Sequence, residues 1–176
     1  MAKSDAKYFA GAVCLVAGVP AATLRQWRFR LGLFPAMRDD NRWHLFSLSQ
    51  ICAARLMVVL TKFGLRAGAA VGVANASVEL FDQIEDQIAS GKFDEPTAVA
   101  LNSVGDIHLV GDRVEVADLL TEGTSLVVDL CDVFRHVVEQ LRDGEHPNVE
   151  PANKAVADDM RAFAKGFLGS KMRIVA

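Results

Sequence analysis

The sequence predicts a mainly α-helical chain with small β elements, and three observations support this fold class. Apolar residues recur at helical spacing in several segments, and the widest such stripe lies within residues 125–142. Strand-like runs are short and occur at residues 97–101, 107–110 and 113–116. Apolar residues make up 51% of the 176 residues, which is enough to bury a core. We expect three regions, at residues 1–76, 77–145 and 146–176.

The charges are divided unevenly along the chain, although its net charge is only −3. Residues 1–66 contain ten basic and three acidic side chains, a net +7, and the remaining 110 residues contain nine basic and nineteen acidic ones, a net −10. A basic region attracts an anionic partner such as nucleic acid, and an acidic region is repelled from it. We therefore expect the N-terminal region to contact such a partner, with an uneven solvated surface as the alternative explanation.

The N-terminal region begins with the pattern of two short helices joined by a tight turn. The first helix is predicted over residues 11–16, and Gly18 can take the positive φ that a sharp turn requires. Pro20 opens a second helix that continues to Arg30, since proline is tolerated in a first helical turn. An exposed basic face on the second helix of such a unit can reach phosphates and base edges in a major groove. The spacing places Leu24, Trp27 and Leu31 toward the core and Arg25, Gln26 and Arg28 outward.

Residues 33–46 predict a two-stranded wing with a tight, polar tip. Arg38 and Arg42 lie in the polar cluster at this tip and are expected to contact phosphate, with solvated loop arginines as the alternative. Ser47 and Gln50 then form an S-x-x-Q capping box that starts a third helix. The apolar face of this helix comprises Leu48, Ile51, Cys52, Leu56, Val59, Leu60 and Phe63, and Gly64 is expected to end it.

Four motifs of this region carry a resemblance to a known family. They are Tyr8-Phe9-Ala10-Gly11 with Gly18-Val19, Thr23-Leu24-Arg25 followed by Trp27, Asn41-Arg42-Trp43-His44-Leu45-Phe46-Ser47, and Leu60-Thr61-Lys62-Phe63-Gly64. Together they resemble the winged helix-turn-helix of the MerR family of transcriptional regulators, over residues 8–72. The resemblance implies contacts with double-stranded DNA from Thr23, Arg25, Gln26, Trp27, Arg28, Arg38, Arg42 and His44.

The sequence departs from the family pattern in three places. The segment from Thr23 to Gly32 is one residue longer than usual, Pro20 stands where a serine cap is common, and His44 stands where a wing arginine is usual. Phage-type regulators and excisionase-like proteins share this looser pattern. The resemblance therefore supports the winged fold more strongly than it supports a particular subfamily of regulator.

The second half of the chain is expected to form a small α+β region. Helices are predicted over residues 67–76 and 78–88, followed by the three short strands, with a hairpin turn at Gly111-Asp112. The helix at 125–142 carries a stripe that either packs on this sheet or forms a homodimer seam, as in the MerR family. The residues assigned to the seam are Leu130, Phe134, Val137 and Leu141. A linker over 143–154 and a last helix over 155–168 are expected to follow.

No pattern in the sequence indicates an enzyme, and none indicates a bound cofactor. The three cysteines and four histidines are scattered, so that no metal centre and no disulfide framework are expected. No stretch reaches the roughly 18 apolar residues that a membrane span needs. We expect a cytoplasmic protein, and the alternative is a signal peptide, suggested by Lys3 and Lys7 before the apolar residues 8–17.

Two functions of different classes fit this sequence. The first is a sequence-specific transcriptional regulator that binds double-stranded DNA as a homodimer. The alternative is an excisionase-like or phage-type architectural factor, which bends or loads DNA while its acidic C-terminal half contacts another protein. Neither function requires a membrane.

Overall fold

The computed structural model describes residues 7–35, 45–91, 98–102, 107–110 and 124–143. Within these residues the chain is mainly helical and contains a small antiparallel sheet, as the sequence predicts. The elements are α1 (Ala10–Ala17), α2 (Ala21–Leu31), α3 (Leu48–Lys62), α4 (Ala67–Ala76), α5 (Val78–Ser90), β1 (Ala98–Asn102), β2 (Ile107–Val110), β3 (Thr124–Asp129) and α6 (Leu130–Asp143).

The first two helices are joined by the tight turn that the sequence predicts. Gly18 ends α1 with a φ of 71°, in the left-handed region that glycine tolerates best. The N–H of Val19 then donates to the carbonyl of Cys14 at 2.9 Å, and Pro20 provides the N-cap of α2. Nη1 of Arg55, on α3, donates to the carbonyl of Ala17 at 3.3 Å. The turn is thereby fastened to the third helix.

Helix α3 begins at the predicted capping box and lies at the centre of the core. The backbone N–H of Gln50 donates to Oγ of Ser47 at 3.3 Å, and the N–H of Ser47 donates to Oε1 of Gln50 at 2.9 Å. The helix packs against α1, α4, α5 and α6. Its predicted apolar face is buried or half-buried except for Phe63, which follows the last helical residue and is 69% exposed.

The buried residues form one core that continues past residue 76. Side chains from α1 to α4 and from α5, β1, β3 and α6 belong to the same hydrophobic cluster. Ser77 joins α4 to α5 directly, and its buried hydroxyl donates to the carbonyl of Val73 at 2.9 Å. The boundary expected after residue 76 therefore does not divide the core of the described residues.

The sheet confirms two of the predicted strands, and its third strand occupies residues where a helix was expected to begin. Its order is β2-β1-β3, and both pairings are antiparallel. The third strand of the described sheet is Thr124–Asp129, whereas the predicted run at 113–116 lies outside the described residues. The helix predicted to begin at residue 125 begins instead at Leu130. Val127 and Val128 are β-branched and favour a strand, and Val128 pairs with Val99 in the core.

Candidate nucleic-acid interface

One face of α2 is exposed along the whole helix. Its exposed side chains follow helical spacing: Ala21, Ala22, Arg25, Gln26, Phe29 and Arg30. We call these six residues the α2 stripe. It offers two guanidinium groups, one amide and one aromatic ring, and α2 contains no acidic residue. Such a surface can donate hydrogen bonds to phosphates and to base edges.

The opposite face of α2 is buried, and it includes Trp27, which the resemblance assigns to DNA contact. Leu24 and Trp27 are only 3% and 7% exposed, and Leu31 packs partly against the same core. The expectation that these three face the core is confirmed. Trp27 is consequently unavailable to DNA in this structure, which corrects its assignment as a DNA contact. Thr23 lies between the two faces, half-buried in the first turn.

The side chain of Arg28 is half-buried, although its position on α2 predicts that it points outward. Its guanidinium carbon lies 5.5 Å from the ring centroid of Phe29 and 5.1 Å from that of Phe46. Nε is buried and has no hydrogen-bond partner among the described residues, and burial lowers the pKa of the guanidinium. Arg28 therefore acts here as a cation stacked on two aromatic rings, which couples α2 to the segment before α3.

The residues on either side of the predicted wing are held by the core. Tyr8 and Phe46 form an antiparallel β-bridge, with N–H to carbonyl distances of 2.9 and 2.8 Å. The rings of Phe34 and Phe46 meet edge to face with centroids 6.0 Å apart. The side-chain amide of Asn75 accepts a hydrogen bond from the N–H of Phe34 at 2.9 Å and donates one to the carbonyl of Gly32 at 3.0 Å. Phe34 and Phe46, on either side of the predicted wing, therefore lie next to each other in the core.

The predicted wing contacts themselves lie outside the described residues. They are Arg38, Arg42 and His44.

The described cations of the N-terminal region lie on α2 and α3 and beside α1 and α4. The described residues 7–35 and 45–78 contain no Asp or Glu and carry the cations Lys7, Arg25, Arg28, Arg30, Arg55, Lys62 and Arg66. The first carboxylates after them lie on α5 and include Glu79 and Asp82. These cations attract an anion, whereas the carboxylates of α5 that pack against α3 oppose it.

A small polar cluster lies between α3 and α5. Ser49 donates from its hydroxyl to a carboxylate oxygen of Asp82 at 2.7 Å, and Glu85 is only 2% exposed. Burial and the negative charge of Glu85 raise the pKa of both the Tyr8 phenol and the Cys52 thiol. Both groups stay protonated at neutral pH, so neither is an activated nucleophile.

The residues assigned to a dimer seam are used within the chain. Leu130, Phe134 and Val137 are fully buried, and Leu141 packs partly against the core. Helix α6 contacts α1, α3, α5 and β1. Of the two interpretations of this stripe, intramolecular packing is the one observed. The seam interpretation is corrected because the apolar surface that it requires is already covered.

Neither a search with protein-family models nor a search of curated proteins found a match to this chain. The described residues contain no cluster of three or more side chains that could hold a metal ion. They also contain no helix that is both long enough and apolar enough to cross a membrane.

Sequence reasoning missed Phe29 as a member of the exposed face. It lies four residues after Arg25 and three after Gln26, so it occupies the same side of the helix, where it is 49% exposed. This spacing was sufficient to place it there. Phenylalanine is ordinarily expected in the core, so Phe29 was not predicted to be exposed.

Proposed function

We propose that this chain is a sequence-specific DNA-binding regulator that reads the major groove with the α2 stripe. In this proposal α1 and α2 form a helix-turn-helix, α2 is the recognition helix, and the residues between Phe34 and Phe46 form a wing. The observation that carries the proposal is the stripe itself. Arg25 and Gln26 are both exposed on it, and these are the side-chain types that pair with guanine and adenine.

The surroundings of α2 support this assignment. The tight turn at Gly18 and the packing of α2 on α1 and α4 hold the helix rigidly and leave one face uncovered. A rigid element presents its side chains with a defined geometry, which base readout requires. The described residues 7–35 and 45–78 contribute no carboxylate that would repel phosphates.

The proposal includes a homodimer, because one recognition helix covers only a few base pairs and a two-fold dimer reads two half-sites. The buried stripe of α6 is not the interface in this proposal, so the dimer must use another surface of the full chain. Transcriptional regulation is the role that the resemblance to the MerR family favours. An architectural factor would use the same α2 stripe, with deformation of DNA as its output.

Selection from a randomised duplex library by the full chain tests the proposal. We expect an enriched consensus, bound on the order of a thousandfold or more tighter than random duplex at physiological salt. An affinity that falls steeply with salt concentration is also expected, since phosphate contacts release counterions. Failure to enrich any duplex sequence would contradict the proposal. Strong bending of the selected duplex, without any effect on a linked promoter, would favour the architectural role.

A further inference from the structure

We infer that Phe29 is a specificity residue that contacts the C5-methyl group of thymine in the major groove. This inference rests on the proposed function of the α2 stripe and goes beyond it, since it predicts which base the ring recognises. It starts from an aromatic residue, Phe29, that is exposed in the middle of a basic helix face.

The position of Phe29 places it in line with Arg25 and Gln26. Four residues along a helix correspond to about 6 Å, which is close to the rise of two base pairs. Arg25 and Phe29 can therefore face base pairs in the same half-site. Phe29 is 49% exposed, so a ligand can cover part of its surface.

The ring is also held in place before any ligand arrives. The guanidinium of Arg28 lies over Phe29 at 5.5 Å and over Phe46 at 5.1 Å, and Phe46 is fixed by its bridge to Tyr8. The attraction between the guanidinium and the ring favours the orientation of Phe29 that faces Arg28. A restricted side chain loses less conformational entropy on binding, so its contact contributes more to affinity and specificity.

The chemistry of the major groove selects thymine as the partner. Most base edges there present hydrogen-bond donors or acceptors, and covering those with a phenyl ring leaves them unsatisfied. The methyl group of thymine is the apolar group on that surface, and phenylalanine is one of the side chains that contacts it. An apolar wedge that kinks DNA acts from the minor groove, which a helix face of this width does not enter.

A matched control is available in the same chain. Phe63 is more exposed, at 69%, but it follows α3 and lies outside the α2 stripe. General stickiness of exposed aromatic rings would therefore affect Phe63 at least as much as Phe29. Removal of either ring is expected to leave the fold intact, because neither belongs to the core.

The test replaces single thymines by deoxyuridine in the duplex that the full chain selects, which removes one methyl group and no hydrogen-bonding atom. For wild type we expect at least one position where uracil weakens binding roughly fourfold, the value for one buried methyl group. Phe29→Ala should bind the thymine duplex more weakly and should no longer distinguish thymine from uracil at that position. Phe63→Ala should discriminate as wild type does, and Phe29→Leu, which remains apolar, should retain part of the discrimination.

Three results would overturn the inference. Wild type could be indifferent to uracil at every position, or Phe29→Ala could retain full discrimination, and in both cases the proposed function survives without this contact. Alternatively, wild type could select no duplex, in which case the proposed function fails and the inference fails with it. Circular dichroism of each variant establishes that a change in affinity does not arise from unfolding.

Discussion

Gly18 illustrates how a single backbone angle positions the candidate interface. Its φ of 71° turns the chain between α1 and α2, and a Cβ at this position would lie 3.3 Å from Nη1 of Arg55. The same nitrogen donates to the carbonyl of Ala17. Any side chain at residue 18 therefore strains the backbone and presses on the group that fastens the turn to α3.

Gly18→Ala is expected to lower the free energy of unfolding by about 1–2 kcal/mol, the cost of a left-handed alanine. Urea denaturation followed by circular dichroism measures this value. Gly11→Ala is the matched control, because Gly11 is helical and a Cβ there would meet nothing within 4 Å. This control should be neutral or stabilising by up to about 1 kcal/mol. Equal effects of the two substitutions would contradict the role given to Gly18.

His136 predicts a dependence of stability on pH. Burial and the positive charge of Arg55 lower the pKa of its imidazole from the ordinary value of 6.5, against a smaller opposing effect of Glu139. The imidazole of His136 therefore binds a proton less well in the folded state than in the unfolded state. Its contribution to the free energy of unfolding is fully present above pH 6.5 and is lost as pH falls below that value. We expect His136→Gln to lose less stability than wild type between pH 7 and pH 5. A larger loss in the variant would contradict this sign.

At the scale of elements, α3 is the helix on which the candidate interface is assembled. It packs against α1 and α4, which in turn hold α2, and its start is set by the Ser47 and Gln50 capping box. Ser47→Ala removes the acceptor for the backbone N–H of Gln50 and should cost about 1 kcal/mol.

Ser90→Ala is the control for this substitution. Ser90 is exposed at the end of α5, and its hydroxyl donates to the carbonyl of Gln87 three residues earlier. We expect a change within about 0.5 kcal/mol, as for most surface substitutions. Urea denaturation of both variants makes the comparison, and equal losses would show that the capping box contributes nothing specific.

Helix α6 contributes its apolar stripe to the core. Phe134 is fully buried, and Phe134→Ala is expected to cost about 3–5 kcal/mol through lost burial and the cavity that remains. Phe63→Ala, at an exposed position, should change stability little. A mild effect of Phe134→Ala on the folding of the chain would contradict its place in the core.

The elements that could be predicted from sequence are those defined by local patterns. The capping box and stripe of α3 and the glycine after α1 are signals within a few residues, and they are found where predicted except for Phe63, which is exposed. The start of α6 could not be predicted in this way. Leu126 fits both a helical stripe and a strand, and the register of Val128 with Val99 depends on a distant segment. The stacking of Arg28 on Phe46 depends on a similarly distant contact.

Across the described residues, one core joins the first four helices, which contain no Asp or Glu, to the more acidic elements that follow them. The residues that could have formed a seam on α6 belong to this core, so a homodimer needs a surface elsewhere in the chain. We expect light scattering of the full chain at micromolar concentration to give twice its mass of 19.1 kDa. A folded monomer would remove the two-fold arrangement from the proposal while leaving readout by a single α2 helix open to test.

Readout of bases by the α2 stripe is tested by comparing wild type with Arg25→Ala on the selected duplex and on each of its single-base-pair variants. Arg25 is exposed on the stripe, so the substitution should leave the circular dichroism unchanged. We predict a loss of about 1–3 kcal/mol on the selected duplex, together with lost discrimination at one base pair. Arg135→Ala, on α6 and outside the stripe, removes one charge as a control and should keep every preference. If Arg25→Ala keeps the base preferences of wild type at every position, the claim that this face reads DNA is contradicted.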